Sequence, residues 1–163
     1  ISSSSAITEA LFVPLRVMTM SVLVCSPVRP AASAAARGDG KVLLIEGDGS
    51  LMMHIQELET IRRQGIRMLI CAVNDGGYGA EVHKFRAQGY DPTESVHGRG
   101  DIAAIARGFG LDGKTVKRLD DLPKLLAEFA ASGGAAVWDF HVSDKVVSPT
   151  IRRAHPPGKH RKA

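Results

Sequence analysis

At 163 residues, with 44% hydrophobic and 23% charged side chains, the chain has the composition of one globular domain with a real core, which excludes a wholly disordered protein. Its net charge of +4 does not make it a nucleic-acid binder, because the excess sits at the ends: Arg152, Arg153, Lys159, Arg161 and Lys162 follow Ile151 without an acid, while residues 41–151 hold 13 basic and 15 acidic residues. Its apolar runs are too short to span a bilayer, and Cys25 and Cys71 form no C-x-x-C or zinc pattern, so a reducing cytoplasm is the expected setting.

The first 40 residues show no sustained period. Ser2 to Ser5 form a low-complexity run, and an apolar stretch at 17–25 follows. Ala32-Ser33-Ala34 faintly resembles a signal-peptidase site, but a basic start is missing and Pro14 interrupts the run. Residues 1–29 are expected to be an irregular, truncated or mis-assembled amino end. The domain proper is expected at 30–151, and 152–163 reads as a basic, disordered tail.

From Lys41 the pattern is orderly. Residues 42–45 form a short apolar run typical of a buried parallel strand. A Gly-rich turn follows, and Ser50 is placed to N-cap one helix carrying Leu51, Ile55, Leu58 and Ile61 on a single face, closed by Gly65. Residues 68–73 read as a second strand ending at Asn74. Residues 75–100 read as a Gly-rich loop with one short helix near 81–87. Asp101 caps a helix ended by Gly110, and residues 115–119 suggest a third strand. Asp120 or Asp121 caps a further helix with Pro123 in its first turn and Leu122, Leu125, Leu126 and Phe129 on its apolar face. Residues 135–142 complete a fourth strand. Alternating strands and helices imply a three-layer αβα domain around a parallel sheet. Ligands of such sheets sit at the carboxyl ends of strands, where residues 47–50 and 74–77 both fall.

Gly47-Asp48-Gly49-Ser50 sits at a strand-to-helix turn, where glycines allow sharp turning and close approach of a ligand. A helix start favours phosphate. Asp48 puts a carboxylate beside that phosphate, and the two repel unless a cation lies between them. Mg²⁺ is the natural bridge, since it is commonly held by few protein oxygens plus phosphates. A dinucleotide fingerprint fails because Met53 occupies its last glycine position. Asn74 supplies a neutral oxygen one helix and one strand further on. By themselves these residues also fit plainer roles, Asp48 as a turn or cap residue and Asn74 as a strand-end turn. Among the histidines, His54 reads as packing or surface, His141 lies in a strand, and His155 and His160 sit in the tail. Trp138 reads as a core or interface residue.

Gly-Asp-Gly, this interval and then Asn resembles the signature of thiamine-diphosphate enzymes. The flanks, from Val42-Leu43-Leu44-Ile45-Glu46 through Met53-His54-Ile55-Gln56-Glu57-Leu58-Glu59-Thr60 to Asn74-Asp75-Gly76-Gly77-Tyr78-Gly79, are similar to acetolactate synthase and its relatives. The resemblance covers about residues 30–151. It implies a thiamine-diphosphate-binding fold with Mg²⁺ held by Asp48, the Asn74 side chain and the Gly76 carbonyl. Gly47, Gly49, Ser50, Gly77 and Tyr78 would line the diphosphate, and Glu81 and His83 are candidates for the substrate side. The implied substrate is a 2-oxo acid, decarboxylated or ligated, in a lyase or transferase that forms a homo-oligomer. Two departures stand out. Asp75 replaces a second Asn common in relatives, and 23–29 lacks the glycines of the family's supporting segment. The family's pyrimidine-binding domain, with its activating glutamate, is expected from a partner subunit or another domain, so the catalytic residue is not assigned and the chain alone is expected to be silent. The competing expectations are a non-catalytic folded remnant and a nucleotide-binding α/β protein that takes NAD without metal.

Overall fold

Val42 and Leu44 point to one face of their strand and Leu43 to the other, and the same alternation runs through Met68, Leu69, Ile70, Cys71 and Ala72, so these runs need cover on both sides. The computed structural model describes residues 15–18 and 41–156, with 15–18 and Lys41 described by backbone alone. Its strands are β1 (Leu15–Met18), β2 (Lys41–Gly47), β3 (Met68–Asn74), β4 (Asp112–Val116) and β5 (Ala136–His141). They pair in the order β1-β2-β3-β5-β4, every pair parallel.

Helices α1 (Asp48–Met52), α2 (Glu57–Arg63) and α4 (Ile102–Gly108) cover one face, where Leu51, Leu58, Ile61, Ile102 and Ala106 meet Val42, Leu44, Met68, Ile70 and Val137. Helix α5 (Leu122–Ala131) covers the other, setting Leu122, Leu125 and Phe129 against Leu43, Leu69, Cys71 and Trp138. The Phe129 and Trp138 rings meet edge-on at 6.3 Å, which makes Trp138 a core residue. Burying side chains such as Leu58 and Ile61 contributes about 1.5–3 kcal/mol each. Helix α3 (Gly79–Gln88) lies after β3 and ends at left-handed Gly89, and α6 (Pro149–Ala154) packs beside it. The expected three-layer αβα architecture is present.

Several local expectations differ. The single helix expected after the Gly-rich turn is two: around 53–57 the bonds shorten to i→i+3, with His54 N donating to Leu51 O and Glu57 N to His54 O, each at 3.0 Å. Ser50 is not an N-cap, because β2 runs on to Gly47 and helix geometry starts at Asp48. The strand expected at 115–119 lies three residues earlier, at Asp112–Val116. Gly113 explains the shift: a Cβ there would lie 2.1 Å from the Ala103 carbonyl oxygen, so the bare glycine lets α4 press on β4. Asp101 does cap α4, accepting from Ala104 N at 2.8 Å, whereas Asp121 precedes α5 without a side-chain cap bond. The helix expected at 81–87 is longer at both ends, as Gly79–Gln88.

The chain ends also differ from expectation. Leu15–Met18, assigned to an irregular amino end, pairs in register with residues 41–44. Arg152, Arg153 and Ala154, assigned to a disordered tail, close α6, whose N-cap Ser148 accepts from Ile151 N. Residues 1–14 and 19–29, with the glycine-poor stretch at 23–29, and residues 157–163 lie outside the described residues.

Candidate metal and cofactor site

The carboxyl ends of β2, β3 and β5 lie side by side. Gly47 pairs with Val73, and Asn74 with His141, so Asp48, Asn74 and the end of β5 share one rim of the sheet. Gly47 is extended, at φ −70° and ψ 151°, and the chain turns into α1 at the next residue, leaving the Asp48 side chain only 2% exposed. Its Oδ2 accepts from Gly76 N at 2.9 Å, which joins the two motifs directly. Burial pushes the Asp48 carboxyl above its ordinary value. The Gly76 and Gly49 N–H groups pull it back in part, Asp75 adds to the rise and His97 opposes it.

Asn74 is fully buried. Its Nδ2 donates to Arg99 O at 3.0 Å and to Asp139 Oδ1 at 2.9 Å. Its Oδ1 finds no hydrogen-bond partner among the described residues. A buried amide oxygen without a donor is costly unless something else occupies it, and a cation suits it. The Asp48–Asn74 pair therefore fits Mg²⁺ chemically: one carboxylate and one free neutral oxygen.

The other expected residues are placed as follows. Gly76 has φ +85°, and its carbonyl accepts from His97 N at 3.1 Å and Gly98 N at 2.9 Å, so both lone pairs implied for metal are already engaged. The Ser50 hydroxyl, implied for diphosphate, donates to Glu46 Oε1 at 2.5 Å. Burial raises the Glu46 carboxyl, while the Ser50 bond and His54 lower it. Gly77 bridges to Val96, and a Cβ on it would meet Ser95 O at 2.7 Å. Tyr78 is 40% exposed and stands edge-on to His97 at 5.5 Å. Its ring covers Gly49, where a Cβ would lie 2.8 Å from Cδ1. Glu81 pairs with Lys84 at 3.1 Å, and His83 is buried in α3. Burial pushes the Cys71 thiol up to about 11, so it is no ready nucleophile.

Four residues of this rim carry no signal in the Gly-Asp-Gly and Asn motifs: His97, Arg99, Asp139 and His141. His97 Nε2 stands 3.9 Å from Asp48 Oδ2. Arg99 Nε donates to Asn74 O at 3.4 Å, tying its loop to β3. His141 Nε2 lies 3.3 Å from Asp139 Oδ2. The alternation Ala135, Val137, Asp139 marks Asp139 in the sequence, because it puts an acid where an apolar inward residue is due.

Residues 16–140 match the family model described as "Thiamine pyrophosphate enzyme, C-terminal TPP binding domain". The chain belongs to this family. Among curated relatives of this thiamine pyrophosphate (thiamine diphosphate) domain, the acetolactate synthase large subunit of Parasynechococcus marenigrum (strain WH8102) is 33% identical over 118 residues, covering 69% of this chain and 19% of that protein. The acetolactate synthase isozyme 1 large subunit of Escherichia coli (strain K12) is 32% identical over 135 residues, covering 79% of this chain and 23% of that protein. The chain thus spans about a fifth of the length of these relatives. The thiamine diphosphate-dependent 4-hydroxybenzoylformate decarboxylase of Rhodococcus jostii RHA1 shares the fold, with a TM-score of 0.63 at 24% identity, over 69% of this chain and 22% of that one. No helix among the described residues is long and apolar enough to cross a membrane.

Proposed function

We propose that this chain is the diphosphate- and Mg²⁺-binding half of an acetolactate-synthase-like enzyme that decarboxylates and ligates 2-oxo acids. The observation that carries the proposal is the Asn74 Oδ1, unpartnered among the described residues, on the same rim as Asp48, with Gly76 N bridging the two motifs. Asp48 and Asn74 would hold Mg²⁺, and the Gly76 carbonyl would join once the His97 and Gly98 N–H groups release it. Gly49, Gly77 and Tyr78 would border the diphosphate, with the Tyr78 ring moved off Gly49, and Ser50 would offer its hydroxyl in place of its bond to Glu46. Bound there, thiamine diphosphate supplies the carbon nucleophile and electron sink, and the protein supplies binding, orientation and charge neutralisation. Glu81, paired with Lys84, and His83, buried in α3, are the candidates for the substrate side. A pyrimidine-binding domain, on a second subunit or elsewhere in a homo-oligomeric parent, would complete the site. The setting is the cytoplasm, and nucleic acid and membrane are not partners.

A second reading is favoured by the engaged Gly76 carbonyl and by Tyr78 over Gly49: a folded remnant that binds cofactor weakly. Calorimetric titration of thiamine diphosphate into the full chain, with and without Mg²⁺, separates the two. The first reading expects Mg²⁺-dependent binding that disappears in Asp48→Ala while the circular dichroism spectrum is kept. Mg²⁺-dependent affinity surviving in Asp48→Ala would sink the metal assignment, and no binding by the unaltered chain would leave the remnant. Either way the chain alone should not turn over pyruvate, and turnover by purified protein free of host enzyme would overturn the half-site account.

A further inference from the structure

We propose that Asp139 is a positioning residue that sets the orientation of the Asn74 amide and so determines which atom of Asn74 is offered to the metal. The inference rests on the metal-site reading above and adds a residue that the two motifs do not contain.

Asp139 has no exposed surface and sits on β5 opposite Ala72, on the sheet face that carries Val42, Leu44, Met68, Ile70 and Val137 and, towards its carboxyl rim, the buried polar residues Glu46 and Asn74. A buried carboxylate is costly there unless it is hydrogen-bonded. Both oxygens are engaged, Oδ1 by Asn74 Nδ2 at 2.9 Å and Oδ2 by His141 Nε2 at 3.3 Å. The second Asn74 bond goes to Arg99 O at 3.0 Å, also a pure acceptor. The two acceptors dictate the amide's orientation. Turned over, the amide would set its oxygen against a carboxylate and a carbonyl with no hydrogen between them. The NH2 group must therefore face Asp139 and Arg99, and Oδ1 is the atom left without a partner among the described residues. A carboxylate at 139 discriminates between the orientations more strongly than a neutral acceptor, since bonds to ionised groups are roughly twice as strong. Groups that orient a metal's ligands in this way typically alter affinity by about 10–100-fold when removed.

The test uses the full chain labelled with nitrogen-15. Without cofactor, solvent exchange of the Asn74 side-chain NH2 protons is expected to be at least about tenfold slower than at exposed amides, to speed up severalfold in Asp139→Ala, where only the Arg99 O acceptor remains, and to stay as slow as in the unaltered chain in Asp139→Asn, which keeps an acceptor. Unprotected Asn74 protons in the unaltered chain overturn the proposal whether or not any variant folds. Retained protection in folded Asp139→Ala, or in Asp139→Leu should alanine not fold, overturns it as well. Calorimetry with Mg²⁺ and thiamine diphosphate supplies the second readout: about 10–100-fold weaker binding in Asp139→Ala, restored to within about threefold by Asp139→Asn. Equal affinity of the unaltered chain and Asp139→Ala overturns the positioning role and leaves the metal site standing. No binding by the unaltered chain, with the exchange pattern intact, removes the metal site and leaves the positioning of the amide upheld.

Discussion

Replacing Asn74 by alanine separates a residue built into the core from one that merely ends a strand. The side chain is fully buried and makes two hydrogen bonds, to the Asp139 carboxylate and to the Arg99 carbonyl. A bond to a charged group contributes about 1.5–3 kcal/mol and a neutral one about 0.5–1.5, so the truncation should cost about 2–4 kcal/mol. Against a typical domain stability of about 5–15 kcal/mol this is a large fraction. In urea unfolding followed by circular dichroism, with a slope of roughly 1–3 kcal/mol/M, the midpoint should fall by about 0.7–4 M. Asn74→Asp is the control of equal size: it removes both donors and sets a carboxylate 2.9 Å from Asp139 Oδ1, so it should destabilise at least as much at neutral pH. A loss under about 0.5 kcal/mol in Asn74→Ala would refute the reasoning, because the two bonds would then hold nothing together.

Asp48→Asn should move stability and binding in opposite directions. Because burial raises the folded carboxyl above its ordinary value, Asp48 contributes stability that is full below the unfolded value and lost as pH rises through the folded one. The metal-free asparagine variant should therefore melt above the parent at neutral pH, with a gap that closes towards acid, and show weaker Mg²⁺-dependent binding; a lower melting temperature at neutral pH refutes it. In the parent, metal binding should weaken on acidification from a higher pH than an ordinary Asp would give, as calorimetry across pH can read. Gly113→Ala should cost about 1–3 kcal/mol in the melting curve, since its Cβ meets backbone that cannot step aside; no change would put β4 in the wrong register. Gly49→Ala crowds only the half-exposed Tyr78 ring and meets His97 at an ordinary 3.5 Å, so stability should change by less than about 1 kcal/mol while cofactor affinity falls at least about tenfold, and unchanged affinity by calorimetry would remove Gly49 from the site.

The sheet was legible in the sequence wherever strands are buried on both faces, as at Met68–Asn74, because continuous apolar runs between turn residues have few other solutions. It was not legible at β4, where Gly113 and exposed Asp112 read as loop and only tertiary pressure from α4 makes them strand. The break at 53–57 escaped for a related reason: the apolar stripe Leu51, Leu58, Ile61 is kept whether the helix runs on or pauses. The meeting of Asp48, Asn74 and Gly76 at one rim was legible because two spaced motifs carry them. His97, Arg99 and His141 were not, since only the β3–β5 register and the fold of the 76–99 loop bring them to that rim, and Asp139 stood out only as an acid at an apolar position, without its partner.

The claim that Asp48 and Asn74 form one metal site is tested most directly by crystals of the full chain grown with thiamine diphosphate and Mn²⁺, located by its anomalous scattering. A single peak is expected with one Asp48 carboxylate oxygen and Asn74 Oδ1 both at about 2.0–2.2 Å, and the Asn74 NH2 still facing Asp139. A peak away from these two side chains, or metal bound while Asn74 Oδ1 stays unligated, would contradict the account.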